Sequence, residues 1–170
     1  NNTAPLIAAF EPTKVGTPPK IGGAARDDIN GDGKSDLLWM NNGTHQFGYW
    51  AMNGSVVSKL WSISVASGYS VVATGDFNGD GFVDVVWEGA DSNTLYLWSS
   101  NGTSFTSQLI GYLPFISSEE QVVGAGDVDG DGKSDLIFTD PSPGTLEYWI
   151  MDGAKVVKQW STSVAQGYYI

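Results

Sequence analysis

The amino-acid sequence predicts an all-β fold made of three tandem repeats, and three observations support this prediction. An acidic loop of nine residues occurs three times, beginning at Asp28, Asp76 and Asp127, which are 48 and 51 residues apart. Short apolar stretches and turn signals recur in the same register around each loop. The chain of 170 residues also contains 22 glycines, a proportion that favours turns over long helices.

The common register extends well beyond the loops. A tryptophan stands 22 residues after the first aspartate of every loop, and a glycine stands 26 residues after it. These equivalent residues are Trp50, Trp98 and Trp149, and Gly54, Gly102 and Gly153. Self-similarity over this length indicates three homologous structural units.

We predict four short strands in each repeat. The first is an apolar stretch before the acidic loop, as in 71–74 and 122–125. The second follows the loop directly and is apolar at consecutive positions, a pattern that suits a strand buried on both faces. Its three copies are Leu37 to Trp39, Val85 to Trp87 and Leu136 to Phe138.

The third strand ends in a strong hairpin signal, from which the fourth strand runs back antiparallel. Asn-Gly and Asp-Gly favour a type I′ turn, because both central residues of that turn need a positive φ. The third strands and their turns are Phe47 to Met52 with Asn53-Gly54, Leu95 to Ser100 with Asn101-Gly102, and Leu146 to Met151 with Asp152-Gly153.

Four antiparallel strands in repeats of about 50 residues are typical of β-propeller blades. Closed propellers have about 4 to 8 blades, so we expect either a homodimer or further sequence to complete the ring. The predicted organisation is an N-terminal arm or linker (1–19) and a propeller segment (20–170), which comprises blade 1 (about 20–67), blade 2 (about 68–117), blade 3 (about 118–166) and the start of a further strand (167–170).

The acidic loops predict three structural Ca²⁺ sites. Side-chain oxygens stand at loop positions 1, 3, 5 and 9, glycine at position 6 permits a sharp bend, and the main-chain carbonyl at position 7 would complete each shell. The predicted ligands are Asp28, Asn30, Asp32, Lys34 and Asp36; Asp76, Asn78, Asp80, Phe82 and Asp84; and Asp127, Asp129, Asp131, Lys133 and Asp135. The alternative interpretation is a set of turns closed by their own side-chain hydrogen bonds.

Position 12 of each loop excludes an EF-hand, because it holds Trp39, Trp87 or Phe138 in place of a bidentate glutamate. Ten of the nineteen acidic residues lie in the loops. Three bound Ca²⁺ ions would add six positive charges to a net charge of −11, which leaves −5. Because extracellular modules bind calcium at about 10⁻⁴ to 10⁻³ M, filled sites would indicate a secreted or cell-surface protein.

Composition excludes several other classes. The net charge of −11 argues against binding nucleic acid or an anionic membrane surface. The absence of cysteine and the presence of one histidine, His45, exclude the usual zinc sites. No apolar run is long enough to insert into a membrane as a spanning helix.

The triplicated motif, as in Asp76-Phe-Asn-Gly-Asp-Gly-Phe-Val-Asp-Val-Val-Trp87, resembles the FG-GAP/VCBS repeat, the calcium-loop blade of integrin α-subunit propellers. The resemblance covers residues 21–170. It implies a ring of usually seven blades, with calcium in the loop between the first two strands of a blade. It also implies roles in adhesion, in sugar binding or as accessory domains of polysaccharide-degrading enzymes, and some members are lectins with monosaccharide pockets between blades.

We therefore predict a secreted, calcium-binding module for multivalent binding of carbohydrate or glycoprotein. Trp50, Trp98 and Trp149 are the candidate sugar contacts, because a tryptophan face stacks on a sugar ring, although packing between blades would also explain them. The alternatives are a protein-binding or architectural propeller domain, or an accessory fragment of a larger polysaccharide-processing enzyme. We predict no catalytic residue, because no nucleophile motif stands out and no carboxylate pair does so outside the loops.

Overall fold

The computed structural model describes residues 27–90, 93–113, 121–140 and 144–164. Within these ranges the chain forms strands, turns and loops, and no helix long and apolar enough to cross a membrane is found there. The strands are β1 (Leu37–Asn41), β2 (Gln46–Asn53), β3 (Val56–Ser64), β4 (Ser70–Gly75), β5 (Asp84–Glu88), β6 (Thr94–Ser100), β7 (Phe105–Tyr112), β8 (Gln121–Gly126), β9 (Asp135–Asp140), β10 (Thr145–Asp152) and β11 (Lys155–Ser163).

The strands form three separate antiparallel sheets in chain order. Sheet 1 contains β1 to β3, sheet 2 contains β4 to β7, and sheet 3 contains β8 to β11, with sequential strands adjacent in each. The prediction of an all-β fold built from propeller-type blades is therefore confirmed. The first strand expected in blade 1, the arm at 1–19 and the strand start at 167–170 lie outside the described residues.

Two hairpins differ from the predicted turn in the same way. Asn53 pairs with Val56 in sheet 1, so the strand continues one residue further than expected, and Gly54 becomes the first turn residue. Its φ is 62°, and the equivalent Gly153, which follows Asp152 in sheet 3, has a φ of 61°. Because only the glycine has a positive φ, each turn follows the type II′ pattern, and the predicted type I′ turn was wrong.

The hairpin of sheet 2 is longer than the predicted two residues. Ser100 pairs with Phe105, which leaves residues 101–104 in the loop. The Asn101 side-chain oxygen accepts hydrogen bonds from the backbone N–H groups of Thr103 (3.0 Å) and Ser104 (2.9 Å). This side-chain turn closes the longer loop without the tight glycine turn of the other two sheets.

The apolar core lies between the sheets. We call the face of sheets 2 and 3 that packs on the preceding sheet the leading face, and we use the same name for the equivalent face of sheet 1. The opposite face of every sheet is the trailing face. Residues from the trailing face of sheet 1 and the leading face of sheet 2 form one cluster, and sheets 2 and 3 form a second in the same way. Strands β4 and β8 lie side by side, so the first strands of sheets 2 and 3 are neighbours, as in adjacent blades.

The strand that directly follows each acidic loop, which is β1, β5 or β9, shows how packing between sheets determines burial. Val85 and Val86 in β5 are buried on opposite faces against sheets 1 and 3, and Leu136 in β9 is buried against sheet 2, as the consecutive apolar pattern predicts. Ile137 is buried on the other face of sheet 3, outside both core clusters. The equivalent Leu37 in β1 is exposed, contrary to the prediction. The physical reason is that no described sheet covers the leading face of sheet 1.

Candidate functional site

Three acidic loops with the same conformation form the candidate site: loop 1 (28–36), loop 2 (76–84) and loop 3 (127–135). Loop 2 joins β4 to β5, and loop 3 joins β8 to β9. Loop positions 4 and 6 adopt left-handed φ values between 75° and 89°, which glycine tolerates without steric cost. These glycines are Gly31 and Gly33, Gly79 and Gly81, and Gly130 and Gly132.

The aspartate at position 1 organises the turn of each loop. The two carboxylate oxygens of Asp28 accept hydrogen bonds from the N–H groups of Gly31 and Gly33, both at 2.7 Å. The equivalent pair measures 2.7 and 2.8 Å at Asp76, and 2.6 and 3.0 Å at Asp127. One side chain therefore satisfies two main-chain donors that the sharp turn leaves without a strand partner.

The aspartate at position 9 connects each loop by a hydrogen bond to the strand of its own sheet that leads into the hairpin, which is β2, β6 or β10. Asp84 is buried, and its two oxygens accept hydrogen bonds from the N–H groups of Phe77 (3.1 Å) and Ser100 (2.8 Å). The same arrangement occurs in loops 1 and 3, where the bonds run to Asp36 from Ile29 and Met52, and to Asp135 from Val128 and Met151. This residue is therefore part of the fold of the loop itself.

Burial is the largest influence on the pKa of these position-9 carboxyls. Burial raises the pKa of Asp84 to about 7, while the Ser100 and Phe77 N–H groups lower it and the charges of Asp80 and Asp76 raise it. Burial is also the largest influence on Asp36 and Asp135, and raises the pKa of each. A cation bound in the loop would counter this cost and favour the ionised form.

The donor set fits a hard divalent cation. In loop 3, carboxylate oxygens of Asp127, Asp129 and Asp135 lie within 4.8 Å of one another. Loops 1 and 2 carry an asparagine, Asn30 or Asn78, at position 3, where loop 3 has Asp129. These oxygens would hold Ca²⁺, which would supply a structural cross-link and neutralise the clustered charge. The side-chain hydrogen bonds of the alternative, self-closed turn are present as well.

The loops also join neighbouring sheets through their main chain. The carbonyl oxygen of Asp28 accepts a hydrogen bond from the N–H of Val83 in loop 2 (3.0 Å). The carbonyl oxygen of Asp76 accepts one from the N–H of Ser134 in loop 3 (2.7 Å). Position 1 of one loop is therefore bonded to position 8 of the next.

A second main-chain link starts at position 2. The carbonyl oxygen of Ile29 accepts a hydrogen bond from the Ser100 hydroxyl (3.1 Å), and that of Phe77 accepts one from the N–H of Gly153 (2.8 Å). Both donors belong to the next sheet and lie beside its hairpin: Ser100 is the last residue of β6, and Gly153 directly follows β10. We did not predict these links from the sequence, because most of their groups are main-chain N–H and C=O, which nearly every residue type carries.

The side chain at position 7 covers the loop of the preceding sheet. The Phe82 ring lies so close to Gly31 and Gly102 that a Cβ atom at either glycine would overlap it. Lys133 occupies the equivalent place, and its Cγ would lie 3.4 Å from a Cβ at Gly79. Position 7, predicted as a carbonyl ligand, thus also has a packing role through its side chain.

The three equivalent tryptophans lie on the leading faces. Trp98 packs within 6.2 Å of Phe47 of the preceding sheet, measured between ring centroids. Trp149 is buried in the core between sheets 2 and 3, where its ring also contacts Phe138 of its own sheet and its indole N–H donates to Glu147 at 2.8 Å. Trp50 is half-buried in sheet 1. Trp98 and Trp149 therefore pack between sheets, and sugar contact by these tryptophans stays a prediction.

Comparison with known proteins supports the repeat assignment. The FG-GAP-like repeat family matches the chain twice, at residues 28–87 and 76–138. Each match begins at the first aspartate of an acidic loop and ends at position 12 of the next loop, so each matched unit includes two loops and the strands between them. No curated protein and no solved structure matches the chain significantly. Because the family matches cover more than half of the sequence, this chain belongs to the FG-GAP-like repeat family.

Proposed function

We propose that this protein is a calcium-stabilised binding module of the propeller type that acts outside the cell. The observation that carries the proposal is the convergence of the Asp127, Asp129 and Asp135 carboxylates in a loop whose conformation recurs three times. Carboxylates of like charge in a partly buried loop favour the binding of a divalent cation, and oxygen donors favour calcium. FG-GAP repeats are typical of propeller-like modules that bind proteins.

The proposed role of calcium is to hold neighbouring sheets together. Each loop contacts a strand of its own sheet through position 9, and loops 1 and 2 also contact the next sheet through the carbonyls of positions 1 and 2. An ion that fixes the loop therefore stabilises both the blade and its packing on the next blade. Extracellular modules work with weak calcium sites, at about 10⁻⁴ to 10⁻³ M, and this supports a secreted or cell-surface location.

We propose no catalysis, because the carboxylates that cluster in the described loops are already engaged by main-chain N–H groups. A protein partner is the ligand class that the repeat family favours. Carbohydrate is the second candidate, and half-buried Trp50 is the residue that favours it. Trp98 is also half-buried but packs on Phe47 of sheet 1, and Trp149 is buried in the core between sheets 2 and 3.

A glycan array probed with the calcium-loaded protein, and again after chelation with EDTA, distinguishes the two ligand classes. If carbohydrate is the ligand, the protein binds one terminal sugar on the array in the presence of calcium. The binding signal then falls in EDTA, and Trp50→Ala abolishes it. Tyr112→Ala is the matched control, because Tyr112 is an exposed aromatic residue in the middle sheet. An array without signal contradicts the carbohydrate candidate and leaves a protein partner.

A further inference from the structure

We propose that two copies of this chain associate head to tail, with the trailing face of sheet 3 in one copy packed on the leading face of sheet 1 in the other. The inference does not depend on the ligand that the module binds. It rests on a comparison of equivalent residues within the chain, because the described residues include two sheet-to-sheet contacts, which show which side chains each face buries.

The trailing face of sheet 3 carries an apolar residue that is covered in the other two repeats. Position 2 of the acidic loop is 1% exposed at Ile29 and 0% exposed at Phe77, where the next sheet covers it. The equivalent Val128 is 44% exposed. Trp160 on the same face is also exposed, whereas its equivalent Trp61 is half-buried and packs on Phe105 of sheet 2.

The leading face of sheet 1 shows the complementary feature. Position 10 is 0% exposed at both Val85 and Leu136, which pack on the preceding sheet. The equivalent Leu37 is 42% exposed. Val57 is likewise exposed at the position where Val156 packs against the core between sheets 2 and 3. Each of the two faces thus presents apolar groups of the kind that the other buries within the chain.

The contacting residues themselves indicate a second copy as the occupant. Sheet 3 covers loop 2 with Lys133-Ser134, and loop 1 has the same pair, Lys34-Ser35, at the same positions. Lys133 packs over Gly79 of loop 2. In loop 3 the equivalent Gly130 has open space around its Cβ position. Lys34 of a second copy can therefore cover loop 3 as Lys133 covers loop 2.

Charge supports the same arrangement. Loop 3 contains four aspartates, and Lys34, whose ammonium pairs with Asp32 of its own loop at 3.4 Å, would bring a positive charge near them from the other copy. The net charge of −11 on each chain opposes association, so calcium in the loops should strengthen it. Two head-to-tail contacts would bring six sheets into one closed ring, within the range of about 4 to 8 blades that propellers have.

The same arrangement affects the carbohydrate candidate. Trp50 pairs directly with Leu37 across β1 and β2, so both lie on the leading face of sheet 1. A second copy would cover Trp50, as sheet 1 covers Trp98. Dimer formation therefore argues for a packing role at this residue, and a sugar bound there would compete with the dimer.

Sedimentation equilibrium of the full chain in calcium tests the proposal. We expect the mass of two chains for the wild type, and about 100-fold weaker association for Leu37→Asp or Val128→Asp alone. Leu109→Asp is the control, because Leu109 is exposed in the middle sheet and therefore lies on neither of the two faces proposed to associate. Circular dichroism verifies that each variant keeps its strand content, and we expect it to, since both substituted side chains are more than 40% exposed.

Mixing the two variants tests the head-to-tail geometry itself. A heterodimer of Leu37→Asp and Val128→Asp can place both changes in one contact and leave the other contact unaltered. Equal amounts of the two variants should therefore associate more strongly than either variant alone. A monomeric wild type at 100 µM would overturn the proposal and point to a further blade as the occupant. Dimers that persist in both variants would overturn it as well.

Discussion

Replacing Asp84 with alanine lowers the free energy of unfolding by roughly 3 kcal/mol when calcium is removed with EDTA. The reason is that the N–H groups of Phe77 and Ser100 lose their acceptor in a buried environment, and the loop loses its connection to β6. Urea denaturation at pH 5 measures the change. Asp80→Ala is the matched control, because Asp80 is exposed and accepts its hydrogen bonds, from the Phe82 N–H and the Asn78 side-chain amide, at the loop surface.

The raised pKa of Asp84 makes the stability of the protein depend on pH in a definite direction. The pKa of Asp84 is raised by folding from an ordinary value of 3.8 to about 7, so the folded state favours the neutral acid. This contribution to stability is fully present below about pH 4 and is lost as pH rises through about 7. Calcium-free wild type should therefore lose stability over that range, while Asp84→Ala should lose less.

The difference in unfolding free energy between wild type and Asp84→Ala is thus expected to be larger at pH 5 than at pH 8. A pH-independent difference would contradict the cause assigned to the raised pKa of Asp84. An alanine variant as stable as Asp80→Ala at pH 5 would contradict the structural role of the position-9 aspartate.

Replacing Gly31 with alanine lowers the free energy of unfolding by roughly 3 kcal/mol. About 1 to 2 kcal/mol comes from the left-handed φ of 75° at this position, which alanine adopts with strain. A further 1 to 3 kcal/mol, about the usual cost of overpacking, comes from the overlap of the new Cβ with the Phe82 ring of the next sheet.

Gly33→Ala separates these two causes. Gly33 has a similar φ of 83°, donates its N–H to the same Asp28 carboxylate, and has no atom near its Cβ position. We therefore expect this variant to lose only about 1 to 2 kcal/mol. Thermal or urea unfolding of the two variants measures the difference. Equal losses would show that loop 1 does not pack closely on sheet 2.

The repeated motif predicted most of the fold because it fixes the local structure directly. The acidic loop and the apolar stretch after it alternate with hairpin signals at constant spacing, and that pattern leaves four antiparallel strands per unit as the simplest solution. The family resemblance was correct for the same reason. The turn type was less predictable, because whether Asn53 pairs with Val56 depends on strand register and not on the Asn-Gly pair alone.

The candidate site was predictable as a set of residues but not as a set of contacts. The oxygen-bearing positions of the loops follow from spacing alone. That Asp84 is buried and accepts two main-chain N–H groups depends on where β6 lies, which local sequence does not determine. The exposure of Leu37 and Val128, against the burial of their equivalents, depends on which sheets have neighbours, and similar side chains therefore have different environments.

The melting temperature of the full chain in 10 mM CaCl₂, compared with EDTA and with MgCl₂, tests the central claim that the acidic loops bind calcium and thereby hold the sheets together. One site with a dissociation constant near 10⁻⁴ M contributes about 2.7 kcal/mol at that concentration, so we expect an increase of at least about 5 °C in calcium and much less in magnesium. Asp129→Ala, in loop 3, should reduce the increase. The same melting temperature in all three solutions would contradict the account.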